Sequence, residues 1–231
     1  MGFFWGPHFY CQLTALNMYK KICLAGAVIL LSACSQYRPG IVSQTITQTF
    51  SSQDAKIDSS KVSSVPYASM SLKVDDGPLA FIVLAWNENH IQKWLTADSK
   101  MVATQNGRII KTIGFPDNLL AFESSSPDPL ANPLTIQEGQ QWKAQTQWKS
   151  DSFHAASVTS RFHWAGTQDF TIVGNTRNYR LLEEQVSSVG DGATYTQRYW
   201  VDAQTGQVVH SEQTLHPHGP VWSLTLLKPY S

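Results

Sequence analysis

Trp142-Lys143-Ala144-Gln145-Thr146-Gln147-Trp148-Lys149 decides the fold. Trp142, Ala144, Thr146 and Trp148 hold one set of alternate positions; Lys143, Gln145, Gln147 and Lys149 hold the other. Successive side chains of a strand point to opposite faces, so this stretch is a half-buried β-strand with both tryptophans on one face. That face is either core or an aromatic platform. The flanking segments repeat the pattern. Phe153 to Trp164, Phe170 to Ile172, Tyr179 to Val189 and Thr194 to Val201 are strands, parted by Gly166, Gly174 and Gly190-Asp191-Gly192. Asp202-Ala203-Gln204-Thr205-Gly206 forms a hairpin loop into Gln207 to Leu215. His216-Pro217-His218-Gly219-Pro220 then turns the chain into a last strand, Val221 to Leu227.

Upstream the same period returns. Ala68, Met70, Leu72 and Val74 alternate with Tyr67, Ser69, Ser71 and Lys73. Asp75-Asp76-Gly77-Pro78 is a turn leading to the apolar run Leu79 to Trp86, and Ile91 to Leu95 is a further short strand. Met101 to Ile113 is broken by Asn106-Gly107, the dipeptide that best suits a type I′ turn, and Arg108 leads the returning strand. Pro116 to Gln140 lacks periodicity and carries four prolines; Asp117 caps a short helix over Asn118 to Phe122, and the remainder is a loop or strap. No βαβ alternation is present. The prediction is an all-β domain of about ten antiparallel strands, a curved sheet or barrel-like domain with one or two short helices.

The N-terminal part decides the compartment. Ile22 to Leu31 is an apolar run of signal-peptide length, preceded by Lys20 and Lys21 and followed by Leu31-Ser32-Ala33-Cys34. Basic, apolar, small-small-Cys is the order of a bacterial lipobox, which predicts cleavage between Ala33 and Cys34 and acylation of the Cys34 thiol. Met18 is a better start than Met1, which makes residues 1–17 upstream sequence. Ser35 follows Cys34 where an Asp would retain the lipoprotein in the inner membrane, so export to the outer membrane is expected. Several acyl chains at ~0.8 kcal/mol per buried methylene make such an anchor effectively permanent. Residues 34–64, rich in Ser, Thr and Gln, then serve as anchor and tether. Val42, Ile46 and Phe50 within them recur at helical spacing and fit either a plain tether or a short docking helix. Residues 65–231 form a single β-rich domain.

Composition excludes several functions. The chain carries 17 Lys and Arg against 17 Asp and Glu. Removal of residues 1–33 takes Lys20 and Lys21 and no acidic residue, which leaves a formal charge two units negative and no basic block. Nucleic acid is therefore not an expected partner. Cys11 and Cys23 leave with the leader, so no disulfide forms within one chain.

Val65-Pro66-Tyr67-Ala68-Ser69-Met70, Trp94-Leu95, Asn106-Gly107-Arg108 and Thr112-Ile113-Gly114 come in this order behind the lipobox. Arg198-Tyr199-Trp200-Val201-Asp202, Thr205-Gly206, Ser211-Glu212-Gln213 and Leu227-Lys228-Pro229-Tyr230 follow. The ordered set resembles the YjbF/GfcB family of group 4 capsule and exopolysaccharide lipoproteins. The resemblance implies an outer-membrane lipoprotein serving secretion or assembly of a surface polysaccharide. It carries over no catalytic residue.

Catalysis is not expected from the residues either. Asp75-Asp76 and Glu183-Glu184 are adjacent pairs whose members point to opposite faces of a strand, so neither pair makes one acid/base site; both are turn or surface charges. There is no Gly-x-Ser-x-Gly elbow. His90, His154, His163, His210, His216 and His218 show no His-Glu-x-x-His spacing, and those around Pro217 belong to a solvated turn, so no metal and no cofactor is expected. Seven tryptophans after Cys34 leave core and glycan platform open, with core favoured for most. Tyr67, Arg108 and Trp200 are the candidate glycan or partner contacts, Arg108 as a charge reaching an acidic sugar or a merely solvated one. The functional expectation is a non-enzymatic accessory or scaffold in capsule or exopolysaccharide export. It is anchored in the outer-membrane bilayer through Cys34, faces the periplasm, and has polysaccharide or other export proteins as partners. A lipid or lipoprotein carrier with an apolar cavity and a carbohydrate-binding module are the alternatives.

Overall fold

The computed structural model describes residues 57–230, all within Ser43–Ser231, the second of two units into which the chain divides. The expected signal peptide, the expected Ala33–Cys34 cleavage site and the Val42, Ile46 and Phe50 stripe lie outside the described residues. One α-helix, α1 (Ser59–Ser64), opens the described part, inside the segment expected to be tether. The Asp58 side chain caps it by accepting from the Lys61 amide, and Val62 is buried.

Twelve antiparallel strands follow as a meander: β1 (Ser69–Val74), β2 (Ala80–Glu88), β3 (Ile91–Leu95), β4 (Met101–Gln105), β5 (Arg108–Ile113), β6 (Asn118–Glu123), β7 (Gln141–Lys149), β8 (Phe153–Ile172), β9 (Asn175–Val189), β10 (Thr194–Val201), β11 (Val208–Thr214) and β12 (Val221–Lys228). Sequence neighbours pair everywhere except β5 and β6, β1 pairs with β12, and the sheet runs β5-β4-β3-β2-β1-β12-β11-β10-β9-β8-β7-β6. The barrel is thus nearly closed, with one seam between β5 and β6. A side chain spans that seam: the Leu119 amide donates to Thr112 Oγ1 at 2.9 Å.

A round barrel of this many strands would leave a lumen. Here opposite walls touch instead. Gln213 of β11 accepts from the Ile109 amide of β5 at 2.9 Å, and its Nε2 donates to the Gly107 carbonyl at 2.8 Å. Two apolar clusters fill the space. One joins Met70, Leu72, Ile82, Trp94, Val102 and Ile109 to Trp222 and Leu224. The other joins Trp142, Val158, Phe162, Leu182, Val186 and Tyr199 to Leu130 and Ile136 of the 124–140 strap. The close approach at the β4–β5 turn explains its sequence. Asn106 and Gly107 both have positive φ (52° and 86°), and a Cβ at Gly107 would lie 2.6 Å from that of Val208.

Two expectations are corrected. Asn118 to Phe122 is not a helix but most of β6, paired with β7 from Asn118↔Lys149 to Glu123↔Gln145. A helix of five residues barely repays its nucleation, whereas the strand pairs its backbone against β7. The Asn118 side chain, bonded to the Phe115 backbone, builds the preceding turn. Gly166 does not end a strand. It takes φ +96° inside β8, where a bulge between Trp164 and Thr167 bends the long β8–β9 hairpin. The tip then lays Phe170 and Ile172 over Tyr179, Trp200 and Val209 as a satellite cluster.

The hairpin tip turns through Val173-Gly174 with φ of 49° and 80°. A β-branched residue is the wrong one for a left-handed position, at a cost of about 1–2 kcal/mol. Val173→Asn restores the favoured Asn-Gly pair and is expected to raise unfolding stability by about 1 kcal/mol in a urea titration.

Candidate functional site

Arg108 is the most heavily engaged side chain of the domain. It and Ile109 are consecutive and point opposite ways, yet each is only 1% exposed. Both are buried because the first residues of β5 run between the two apolar clusters: Ile109 joins one, and Arg108 faces the other. The expectation of a solvated arginine reaching outward is therefore wrong. Its Nε donates to Asp128 Oδ2 at 2.6 Å, its Nη2 to Asp128 Oδ1 at 3.2 Å, and its Nη1 to Glu184 Oε2 at 2.8 Å and to the Tyr199 hydroxyl at 3.1 Å. Its guanidinium carbon lies 4.8 Å from the Trp142 ring centre and 5.2 Å from that of Phe122.

Glu184 is equally buried and accepts further from Ser160 Oγ and from the Tyr199 hydroxyl. One cation thus faces two carboxylates, and Asp128 keeps the wetter end, its side chain 16% exposed against 1% for Glu184. Burial works against the arginine charge, but Asp128 and Glu184 outweigh it and hold its pKa well above the ordinary arginine value. Burial pushes the Tyr199 phenol well above its usual range as well. Glu183 and Glu184 were both expected at the surface. Only Glu183 is there, paired with Arg198 at 3.0 Å, because alternation turns its neighbour inward between Leu182 and Val186. The space beside Arg108, Glu184 and Gln213 is about 10 Å³, room for roughly one water.

The three candidate contacts do not meet. Tyr67 is 39% exposed, at the rim of a surface groove with Trp86 and Tyr230. Trp200 is buried beneath the β8–β9 hairpin tip, donating its Nε1 hydrogen to Gln168 Oε1 at 3.1 Å. His210 lies beside it, its ring 4.2 Å from that of Phe170, with Nδ1 2.8 Å from Thr225 Oγ1. Burial lowers the pKa of His210 to about 4. His216 was expected in a solvated turn; it is buried, stacked on Trp148 at 5.3 Å, because the turn folds against β7. Of the seven tryptophans only Trp86 is exposed, so the shared face of Trp142 and Trp148 is core, with Trp148 at its edge.

Glu184, Asp128 and Ser160 were missed. The signal for Glu184 was its place in the apolar register Leu182-Glu184-Val186, where a carboxylate needs a buried cation.

Residues 43–227 match the family model described as group 4 capsule polysaccharide lipoprotein gfcB, YjbF. The chain belongs to this family. It is 31% identical over 211 residues to the uncharacterized lipoprotein GfcB of Escherichia coli K12, covering 91% of this chain and 99% of that one. The uncharacterized lipoprotein YjbF of the same strain is 32% identical over 197 residues, covering 85% and 92%. The crystal structure of the hypothetical lipoprotein YmcC from Escherichia coli K12 superposes with a TM-score of 0.77 at 31% identity, covering 85% of this chain and all of that one. The family is thus one of capsule-related lipoproteins built on this β-barrel. Among the described residues no helix is long and apolar enough to cross a membrane, and no group of three or more His, Cys, Asp or Glu side chains could hold a metal ion.

Removing the Arg108 cation leaves Glu184 buried and unpaired. Arg108→Met is expected to cost about 3–5 kcal/mol in a urea titration, and adding Glu184→Gln should recover part of that loss. His210 makes stability depend on pH. Above pH 6.5 the ring is neutral in both folded and unfolded chains; between 6.5 and about 4 the unfolded chain takes up the proton first. Stability should therefore fall through that window by on the order of 3 kcal/mol and level off below it. Unfolding curves of wild type and His210→Gln across those pH values should diverge by this amount.

Proposed function

We propose that the chain is an outer-membrane lipoprotein, held by acylated Cys34, that acts as a non-enzymatic accessory or scaffold in capsule or exopolysaccharide export. The observation that carries this reading is the family match over residues 43–227. The filled barrel supports a role played at the surface. Asp128 and Glu184, the two carboxylates brought together inside, flank a buried arginine, and the space of about 10 Å³ beside it admits no sugar ring. The same filling speaks against a carrier, since that function needs room for acyl chains between the walls. Ser35 after the acylated cysteine favours the outer membrane, and the tether lets the domain work in the periplasm near its anchor.

The test is the amount of surface polysaccharide in strains carrying wild type, a full deletion, or Cys34→Ala as the only copy. Polymer should fall in the deletion and fall equally in Cys34→Ala while that protein is still made and exported. Unchanged polymer in both strains would remove the export role.

A further inference from the structure

Two clefts at one end of the barrel take no part in the scaffold reading. This end is where β2, β4, β10 and β12 finish. The larger cleft, about 550 Å³, is walled by Pro66, Tyr67, Leu84, Trp86, Lys228 and Tyr230. The smaller, about 320 Å³, lies between the β2–β3 turn, the β4–β5 turn, the strap and the β10–β11 loop. Asn87 and Tyr230 line both, so the two clefts adjoin and are together termed the groove. Each is of the size that small-molecule sites occupy.

The lining has a consistent chemistry. Four Trp, Tyr or Phe side chains are exposed among the described residues: Tyr67, Trp86, Phe153 and Tyr230. Three of the four stand in this groove, with Trp86 at 51% exposure and Tyr230 at 61%. The adjoining cleft presents the carboxamides of Asn87, Gln92 and Asn132, joined by those of Asn106 and Gln207. Among the described residues, none of these five amides makes a side-chain hydrogen bond. Of the charges nearby, Glu88 binds Lys93 at 2.7 Å, and Lys228 donates to the neutral Val65 carbonyl at 2.7 Å and keeps its positive charge. One lysine against three exposed aromatic rings and five carboxamides makes the lining predominantly uncharged. A peptide strand finds no open edge at β1, β2 or β12, which are paired on both sides.

A sugar ring offers what such a groove can hold. Its C–H faces pack on aromatic planes, and its hydroxyls both donate and accept, as a carboxamide does from one planar group. The walls are also set in advance. Asn89 and His90 turn with φ of 53° and 63°, Asn106 and Gly107 with 52° and 86°. Asp202 Oδ1 accepts from the amides of Gln204 and Thr205, and the strap is tied to Arg108 through Asp128. Preorganised walls lower the entropy cost of binding. Val65-Pro66-Tyr67, Asn106-Gly107, Thr205-Gly206 and Lys228-Pro229-Tyr230, four of the segments that carry the family resemblance, contribute residues to this one groove.

We propose that the groove binds a neutral oligosaccharide segment, with Tyr67, Trp86 and Tyr230 as stacking surfaces and the carboxamides as hydrogen-bonding partners. The proposal rests on the capsule reading in its choice of probe. That probe is a set of neutral oligosaccharides released by partial hydrolysis of the source strain's surface polysaccharide, titrated calorimetrically into the full chain purified in a sugar-free detergent. Saturable binding is expected, unchanged by added salt because the ligand is uncharged. Trp86→Ala should weaken it by about ten-fold, the loss of one aromatic contact. Asn132→Ala with Gln207→Ala should weaken it comparably, and Phe153→Ala, outside the groove, should leave it as in wild type. Thermal unfolding of each variant at the wild-type temperature certifies its fold. No saturable binding, or Trp86→Ala binding as wild type does, overturns the proposal. Loss of polymer in the deletion strain without binding keeps the scaffold and removes the groove; binding with normal polymer in that strain does the reverse.

Discussion

A buried arginine is costly unless every face of its guanidinium is matched, and Arg108 is matched by four separate parts of the chain. Asp128 comes from the strap, Glu184 from β9, the Tyr199 hydroxyl from β10, and the Trp142 ring from β7. None of these can move without stranding a charge in an apolar interior. The strap, which lacks regular strands, is pinned by this requirement. The Asp128 carboxylate that takes the guanidinium also accepts from the Leu130 amide and so starts the 3-10 turn over Pro129–Ala131. Leu130 then reaches the core, and Ala131 to Pro133 form a wall of the surface cleft. An electrostatic constraint in the interior thereby fixes the shape of a site on the exterior.

The meander makes this arrangement accessible. Nearly every strand pairs with its immediate sequence neighbour, so most of the sheet forms from local hairpins at small loop-closure cost. Only the β1–β12 pairing and the contacts across the interior join distant parts. Those long-range contacts are polar as well as apolar: Gln213 reaches β5 from β11, and Arg108 reaches β9 and β10 from β5. Polar groups with single best partners set a register that interchangeable apolar side chains would leave loose. The result is a nearly closed barrel with a filled interior.

Period-two alternation was legible wherever one face met core and the other met water. β7 shows it residue by residue, with Trp142, Ala144 and Thr146 buried and Lys143 and Gln145 exposed. It misled where a strand is covered on both faces. At β5 no alternation rule predicts that Arg108 and its neighbour Ile109 are both interior, because the second layer arrives from a strap 20 residues away and from strands more than 70 residues away. β6 was illegible for a related reason: its strand identity lies in the β7 backbone it pairs with, not in its own side chains. Of the candidate site residues, Tyr67 lies at the groove, whereas Arg108 and Trp200 are buried.

By itself the sequence determined the β class, the main turns and the family resemblance, and it carries the expectation of a lipobox, because each rests on residues close together in the chain. Asn106-Gly107 needs only its own two positive φ values, and a cleavage signal only its own order of side chains. Tertiary structure alone decided which charges are buried, how the barrel fills, and which residues meet at its end. Those depend on what packs against each face, and no local pattern encodes the partner of Arg108 or the company of Trp86.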